Sequence, residues 1–316
     1  ITGPGAESWL SHMLANKMPR QGRLTLSPML NEKGKVIGDF TVGKLADEQF
    51  FIFGSGAGEA YHMRWFEAHL PEDGSVTIKA HGLGLVGLTI AGPKAREVLA
   101  KLTDADVSHD AFKFLDFKKM ELGMVPAMVG RVSFTGDLGY ELWVKPEFHT
   151  RLFDDILTIG ADYGIKLFGS RAMRSMSLEK GFGSWATEYR PIYGPYAAAM
   201  GRFVDMKKND FIGREAAMKE LQDGPAKRLV TFTLKAKEID VMGNEPIYRD
   251  GKIVGYVTSG MYAHHANKSV AMGYIPADMA EEFSDDLFRV EVFGEMLPAT
   301  ILSEPLFDPK AERMRG

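Results

Sequence analysis

The sequence predicts an α+β chain whose last third changes character and folds as a separate all-β lobe. Three observations predict it. Up to about residue 223, short apolar runs are interleaved with segments of helical spacing. From about Arg228 onward, short alternating runs follow one another with Gly, Asn and Asp punctuation, the pattern of a small all-β barrel or sandwich. The chain has 316 residues, more than one hydrophobic core usually serves, so two or three lobes are expected. The shift falls near residues 221–227 and divides the chain into 1–223 and 224–316.

Ile1-Thr2-Gly3-Pro4-Gly5 reads as the end of a strand entering a turn, followed by a helix from about Ala6 to Asn16. No initiator Met, signal peptide or transit segment precedes it, which suggests a piece of a longer polypeptide. Residues 22–53 hold three apolar runs separated by Asn31-Glu32-Lys33-Gly34 and Ala46-Asp47-Glu48, read as strands joined by tight turns. A helix follows from about Glu59 to Leu70, with Trp65, Phe66 and Leu70 on one face. Strands near 75–80 and 85–91 come next, and Gly92-Pro93 opens a short helix to Leu102. RVSFTGDLGYELWV, residues 131–144, reads as a hairpin: a strand breaks at Thr135-Gly136-Asp137 and resumes as a second strand carrying Glu141 beside Tyr140. A helix over 147–163 carries Leu152, Phe153, Ile156 and Leu157 at helical spacing, and another begins near Ser170. The β lobe is assembled from LVTFTL, EPIYR, KIVGYVTSG, SVAMGYI, LFRVEVFG and MLPATIL.

Composition removes several function classes. A net charge of −4 leaves no electrostatic footprint for nucleic acid. The longest apolar runs, such as Leu85–Ala91, are far too short to span a bilayer. There is no Cys, which excludes disulfide scaffolds, thiolate metal sites and cysteine nucleophiles and is compatible with a reducing compartment. The expected compartment is the cytoplasm, or the mitochondrial matrix in a eukaryote. The 18 Met residues read as ordinary core filling.

Two glycine-rich runs invite a nucleotide reading. Gly82-Leu83-Gly84-Leu85-Val86-Gly87 matches G-x-G-x-x-G but leads into another strand rather than a helix, so it reads as a turn. Gly54-Ser55-Gly56-Ala57-Gly58 does stand between a strand and a helix. Its third glycine position is Glu59, however, and no acidic residue closes the next strand to hold a ribose. A strand end where a flat ligand approaches the backbone explains this loop as well. His264-His265 lies in a loop of the β lobe without a Cys, Asp or Glu cluster around it and reads as surface histidines. No metal site is expected.

Four polar signatures, each flanked by apolar runs, occur in order: LNEKGKVIGDFTV, FTGDLGYELWV, FGSRAMRSMSLEKGF and NDFIGREA. Together they resemble the folate-binding aminomethyltransferases, the family of the glycine cleavage T-protein. Asp39 falls on the family aspartate beside the reactive nitrogens of tetrahydrofolate. Carrying a formaldehyde-level carbon onto that cofactor involves a cationic iminium and loss of an amine proton, and a buried carboxylate serves both. Glu141 falls on the glutamate that grips the pterin, whose paired N–H donors match a carboxylate. Tyr140 stands beside it and is counted with the cofactor-binding residues. Arg171 matches the arginine associated with the folate site. Where the family usually has another arginine, two residues before the glutamate of FGSRAMRSMSLEKGF, this chain has Ser177.

One departure narrows the branch. T-proteins often show Asn where this chain has Gly54, and the GSG here is more similar to the folate portion of dimethylglycine and sarcosine dehydrogenases. In that branch Thr41 and Gly54 also fall where the folate is contacted. ITGPGAESWLSHMLANKMPRQGRL, LEKGFGSWATEYRPIYGPYAAAMGRFV and ILSEPLFDPKAERMRG resemble the same branch.

The resemblance implies a three-lobed fold: ferredoxin-like α+β lobes in residues 1–223, a C-terminal β-barrel lobe in 224–316, and folate in the channel between lobes. It also implies tetrahydrofolate-dependent capture of a methyl-derived carbon from an N-methylated amine as 5,10-methylenetetrahydrofolate. An N-terminal flavin domain, or another demethylating domain or subunit, would supply the carbon. Two other readings stay open. One is the folate module of a different demethylase, such as a trimethylamine N-oxide demethylase; the other is a non-catalytic folate-binding or regulatory protein on the same fold.

Overall fold

The structure is a computed structural model that describes residues 1–185, 187–236 and 239–316. Its first lobe is a three-stranded antiparallel sheet, β1 (Arg23–Leu30), β2 (Val36–Ala46) and β3 (Gln49–Phe53), in the order β1-β2-β3. The first turn is dictated by its own residues: the Asn31 Oδ1 accepts the backbone N–H groups of Lys33 and Lys35, and Gly34 takes φ 69°. Even-numbered Phe40 and Val42 of β2 point into a core with Leu10 of α1 (Ala6–Met13) and Phe66 of α2 (Glu59–Ala68).

The second lobe pairs β4 (Val86–Ala91), β5 (Phe117–Leu122), β6 (Val125–Gly130) and β7 (Gly139–Val144) in the order β4-β7-β6-β5. Helices α3 (Ala95–Leu102) and α4 (Pro146–Gly160) cover one face, with Val98, Leu99, Leu142 and Leu152 in the shared core. Pro146 at the first position of α4 supplies a preset φ where no intrahelical N–H bond is needed. The chain then forms α5 (Ser170–Glu179) and returns to the first lobe. There Ala198, Phe211 and Ala217 of α6 (Arg214–Asp223) pack with Leu30 and Val36.

The six alternating runs of the last third become β8 (Lys227–Leu234), β9 (Pro246–Arg249), β10 (Lys252–Ala263), β11 (Lys268–Pro276), β12 (Phe288–Val292) and β13 (Glu295–Ile301). They close as a barrel in the order β10-β11-β8-β13-β12-β9, around Phe232, Ile247, Val257 and Phe288. Closure leaves no free sheet edge. A last helix, α7 (Glu312–Arg315), follows the barrel.

Three expectations need correction. The stretch 75–80 is not a strand: it contributes one bridge, Thr2 to Thr77, because only Val76 in it is buried and a strand needs a continuous partner. Residues 131–134 are not the first arm of a tight hairpin either. The chain leaves the sheet after Gly130, the guanidinium of buried Arg131 donates to the Phe112 carbonyl, and 131–138 form a loop joining β6 to β7. The first helix stops at Met13, not near Asn16, where Leu14 turns extended.

Candidate functional site

The two sheets face each other across a seam. Alternation sends Asp39 and Thr41 of β2 to the side opposite Phe40 and Val42, and it sends Glu141 and Trp143 of β7 to the side opposite Tyr140 and Leu142. Phe53 of the first lobe stacks on Trp143 of the second, with ring centroids 4.0 Å apart and planes at 18°. Phe117 meets both rings edge-on. Gly130 makes room for this: a Cβ there would stand 3.1 Å from the Trp143 ring. Above the seam opens a cavity of about 450 Å³, of a size that suits a small-molecule cofactor, with Phe53, Gly54, His62, Glu141 and Trp143 in its wall.

Gly54 closes β3 and turns the chain toward α2. A Cβ at this position would lie 2.8 Å from the Phe40 ring and 3.9 Å from the Asp39 carbonyl oxygen, so a larger residue would push into the first lobe. Thr41 is half-buried and pairs in register with Leu26 and Phe53, on the same face as Asp39. Of these residues, Gly54 and Glu141 line the cavity, while Asp39 and Thr41 lie on β2, which pairs with the β3 strand of the wall, and are not part of the lining.

Both carboxylates hold their protons unusually well. Burial pushes Asp39 up to about 7, opposed by its own backbone N–H and helped by the nearby Glu188 charge. Its Oδ1 is closed off from solvent and has no hydrogen-bond partner. Burial alone pushes Glu141 up to about 7. Each stands near the point where a proton can be held or released at neutral pH, which is the property general acid–base work needs. His62 adds a buried ring whose Nε2 is also without a partner, and burial lowers its pKa, so the imidazole is neutral at pH 7.

Two further predicted residues also lie outside the cavity lining. Tyr140 is fully buried in the second lobe's core, stacked on Phe112 at 5.7 Å. Adjacent strand residues face opposite ways, so a site on Glu141 excludes Tyr140. Arg171 is exposed in the first turn of α5 and forms no part of the cavity wall.

One turn along α5, Arg174 forms the ion pair the sequence reading missed. Its Nη2 donates to Glu188 Oε2 at 2.8 Å and to Ser259 Oγ at 2.6 Å. Glu188 is fully buried and also accepts from the Ser184 N–H, the Thr187 hydroxyl and the Thr258 hydroxyl. Burial raises its pKa, but Arg174 and the hydroxyl donors outweigh burial and leave the group below the usual carboxylate range. The only signal in sequence was the acid itself inside WATEYRP; Ser184 and Thr187 are local, but the other partners come from α5 and β10. His264 and His265 part company, the first edge-on to Tyr262 and the second edge-on to Phe307.

Comparison with known proteins places this geometry. The GCVT N-terminal domain matches residues 1–208 and the glycine cleavage T-protein C-terminal barrel domain matches residues 227–308. The mitochondrial dimethylglycine dehydrogenase of Homo sapiens is 37% identical over 319 residues, covering 100% of this chain and 36% of that protein. The chain therefore spans about a third of the length of the dimethylglycine dehydrogenases it matches. An aminomethyltransferase of Desulfitobacterium hafniense is 27% identical over 304 residues, covering 96% of this chain and 82% of that protein. Among solved structures, the glycine cleavage system aminomethyltransferase T of Bartonella henselae shares the fold with a TM-score of 0.87 at 23% identity, covering 98% of this chain and 83% of that one. With both family domains matched in order along its length, the chain belongs to the glycine cleavage T-protein family of aminomethyltransferases.

Proposed function

We propose that this chain captures a methyl-derived carbon from an N-methylated amine as 5,10-methylenetetrahydrofolate, as the folate portion of a dimethylglycine or sarcosine dehydrogenase-like enzyme. The observation that carries the proposal is a pair of carboxylates held near neutrality on facing sheets, Asp39 with a buried Oδ1 that has no partner and Glu141 in the wall of an aromatic-lined cavity. Acceptors without donors call for a flat ligand rich in N–H groups, and a reduced pterin is one.

The residues present fit that ligand. Glu141 would hold the pterin through two parallel N–H···O bonds, losing its proton as it does so. Gly54 and the half-buried Thr41 would let the ring lie close to the backbone, and Phe53 and Trp143 would keep water from it. Bound tetrahydrofolate supplies a nucleophilic amine nitrogen that accepts a carbon at the oxidation level of formaldehyde. Asp39, when ionised, stabilises the positive charge of the incoming carbon donor. Its Oδ1 can then take up the proton that the nitrogen must lose, and a group poised near neutrality does both. Oxidation of the amine belongs to a flavin domain or another subunit that delivers the donor to this site.

Calorimetric titration of the chain with a stable reduced-folate analogue tests the reading. One site per chain is expected. Equal or tighter binding of NAD with none of the folate analogue would overturn it.

A further inference from the structure

Outside the cavity, the largest fully buried side chain among the described residues is a cation with no Asp or Glu side chain at hydrogen-bond distance. Arg131 is 0% exposed; its guanidinium donates to the backbone oxygens of Phe112 at 2.8 Å, Gly316 at 3.2 Å and Arg315, with His109 Nδ1 3.5 Å from Nη1, and its Nε has no partner. Arg96 reaches the same Gly316 oxygen at 3.2 Å, and His109 Nδ1 lies 2.7 Å from it. Burying a guanidinium for the sake of backbone oxygens is costly unless the segment carrying them is held in place.

That segment is tied down along its length. Phe307 N–H donates to the Glu179 carbonyl at the end of α5. Asp308 is buried against Lys180 at 3.0 Å, with side-chain exposures of 6% and 5%, and its carboxylate also accepts from the Glu312 and Arg313 N–H groups. Arg313 approaches Asp137 at 3.8 Å. Gly136 lies so close to the Lys180 side chain that a Cβ there would stand 2.7 Å from it. Arg131, Gly136 and Asp137 all belong to the 131–138 loop, which runs directly into β7, and Gly130 pairs in register with Glu141.

We propose that residues 307–316 are a latch that fixes the 131–138 loop against the barrel and so sets where β7 presents Glu141, with Arg131 as the positioning residue. Phe307 of this segment packs edge-on against His265 in the loop between β10 and β11, so the barrel is coupled to a site it does not line. Arg131 touches no ligand in this account; it acts through the loop. The part of the proposal that concerns Glu141 rests on the folate reading above, whereas the latch itself does not.

The experiment is hydrogen exchange on the whole chain, comparing wild type with Arg131→Met and with Arg313→Gln, alongside titration with the folate analogue. Arg131→Met keeps the stem and removes the grip on the carbonyls, and exchange over residues 131–144 should rise by about tenfold while the barrel strands stay protected. Affinity for the analogue should fall by roughly three- to tenfold and recover in part in Arg131→Lys, which keeps a donor. Arg313→Gln cuts only the outer clasp and should show the same pattern in weaker form; it decides the question should Arg131→Met fail to fold. Wild-type exchange over 131–144 in either folded variant, the second being decisive if the first is unfolded, overturns the latch. Faster exchange with unchanged affinity keeps the latch but severs it from Glu141. Failure of the wild-type chain to bind the analogue defeats the folate reading, and the exchange data still decide the latch.

Discussion

The floor and wall of the cavity and the joint beneath α5 handle buried carboxylates in opposite ways. At the joint, Glu188 is wholly enclosed yet ionised, because Arg174, two hydroxyls and a backbone N–H supply donors. At the cavity, Asp39 and Glu141 are no more deeply enclosed, but both are held up to about 7. Burial is common to the two regions; the supply of donors is what differs. Low dielectric strengthens a satisfied group and penalises an unsatisfied one. The joint has the composition of a structural tie. The cavity has that of a place where a ligand completes the hydrogen bonding, and stability is commonly given up at such places.

The sharpest way to break this contrast is to exchange the outcomes of mutation. Glu188→Ala strands Arg174 without its counter-charge, and loss of one partner of a buried pair costs about 3–5 kcal/mol of stability. Denaturant unfolding should show that loss, and a cost below about 1 kcal/mol would make the joint a surface-like pair. Asp39→Asn should do the reverse: unfolding unchanged or slightly more favourable to the fold, with methylenetetrahydrofolate formation slowed on the order of a hundredfold. The assay uses the chain joined to its oxidising domain. A wild-type rate in a folded Asp39→Asn protein would assign that carboxylate to structure and favour the regulatory reading.

Glu141→Ala removes the acceptor for the pterin donors and should weaken the folate analogue about ten- to hundred-fold, an unpaired buried donor costing roughly 1–3 kcal/mol. Unchanged affinity would show that the pterin lies elsewhere. Acidity sharpens the same comparison. The folate analogue should bind up to about tenfold more weakly for each pH unit below 7, since Glu141 must then give up a proton it holds. Stability follows opposite signs in the two regions. The raised carboxylates bind protons more tightly folded than unfolded, so their contribution is complete below the ordinary carboxylate range and is lost as pH rises through about 7. The depressed Glu188 contributes above that range and loses its contribution as pH falls through its folded value. Asp39→Asn and Glu141→Gln should therefore flatten the decline between the ordinary carboxylate range and about pH 7, and Glu188→Gln the decline in acid. The smallest effect is expected of Arg171→Ala: with the side chain exposed and away from the cavity, affinity should change by less than about threefold.

What the sequence made legible follows the range of the interactions involved. The six runs of the barrel could be read because alternation and turn residues are local, and each run became a strand. Alternation placed Glu141 as a polar residue in a strand, and the resemblance gave it a role. The same alternation argues against Tyr140, whose neighbour cannot share its face. RVSFT was misread because Val132 and Phe134 alternate like a strand, while the chain follows the demands of the Arg131 guanidinium instead. Arg174 and Glu188 could not be paired from sequence: fourteen positions separate them, and the Thr258 and Ser259 hydroxyls that complete the site arrive from the barrel. The resemblance carried Asp39, which composition and periodicity alone leave as a polar residue in a strand.

The stack of Phe53 on Trp143 has a bearing on which molecules can enter between the lobes. The two rings come from separate sheets and meet in one cluster around Phe117, so a ring sliding between them must first unmake a contact worth about 0.5–1.5 kcal/mol. An aliphatic guest loses that and gains little in return. A single small ring merely replaces one aromatic face with another and comes out near even. Only a broad flat guest, long enough to cover Trp143 and still reach an acceptor beside it, ends ahead. A guest that must part this pair is selected by its shape before any hydrogen bond forms.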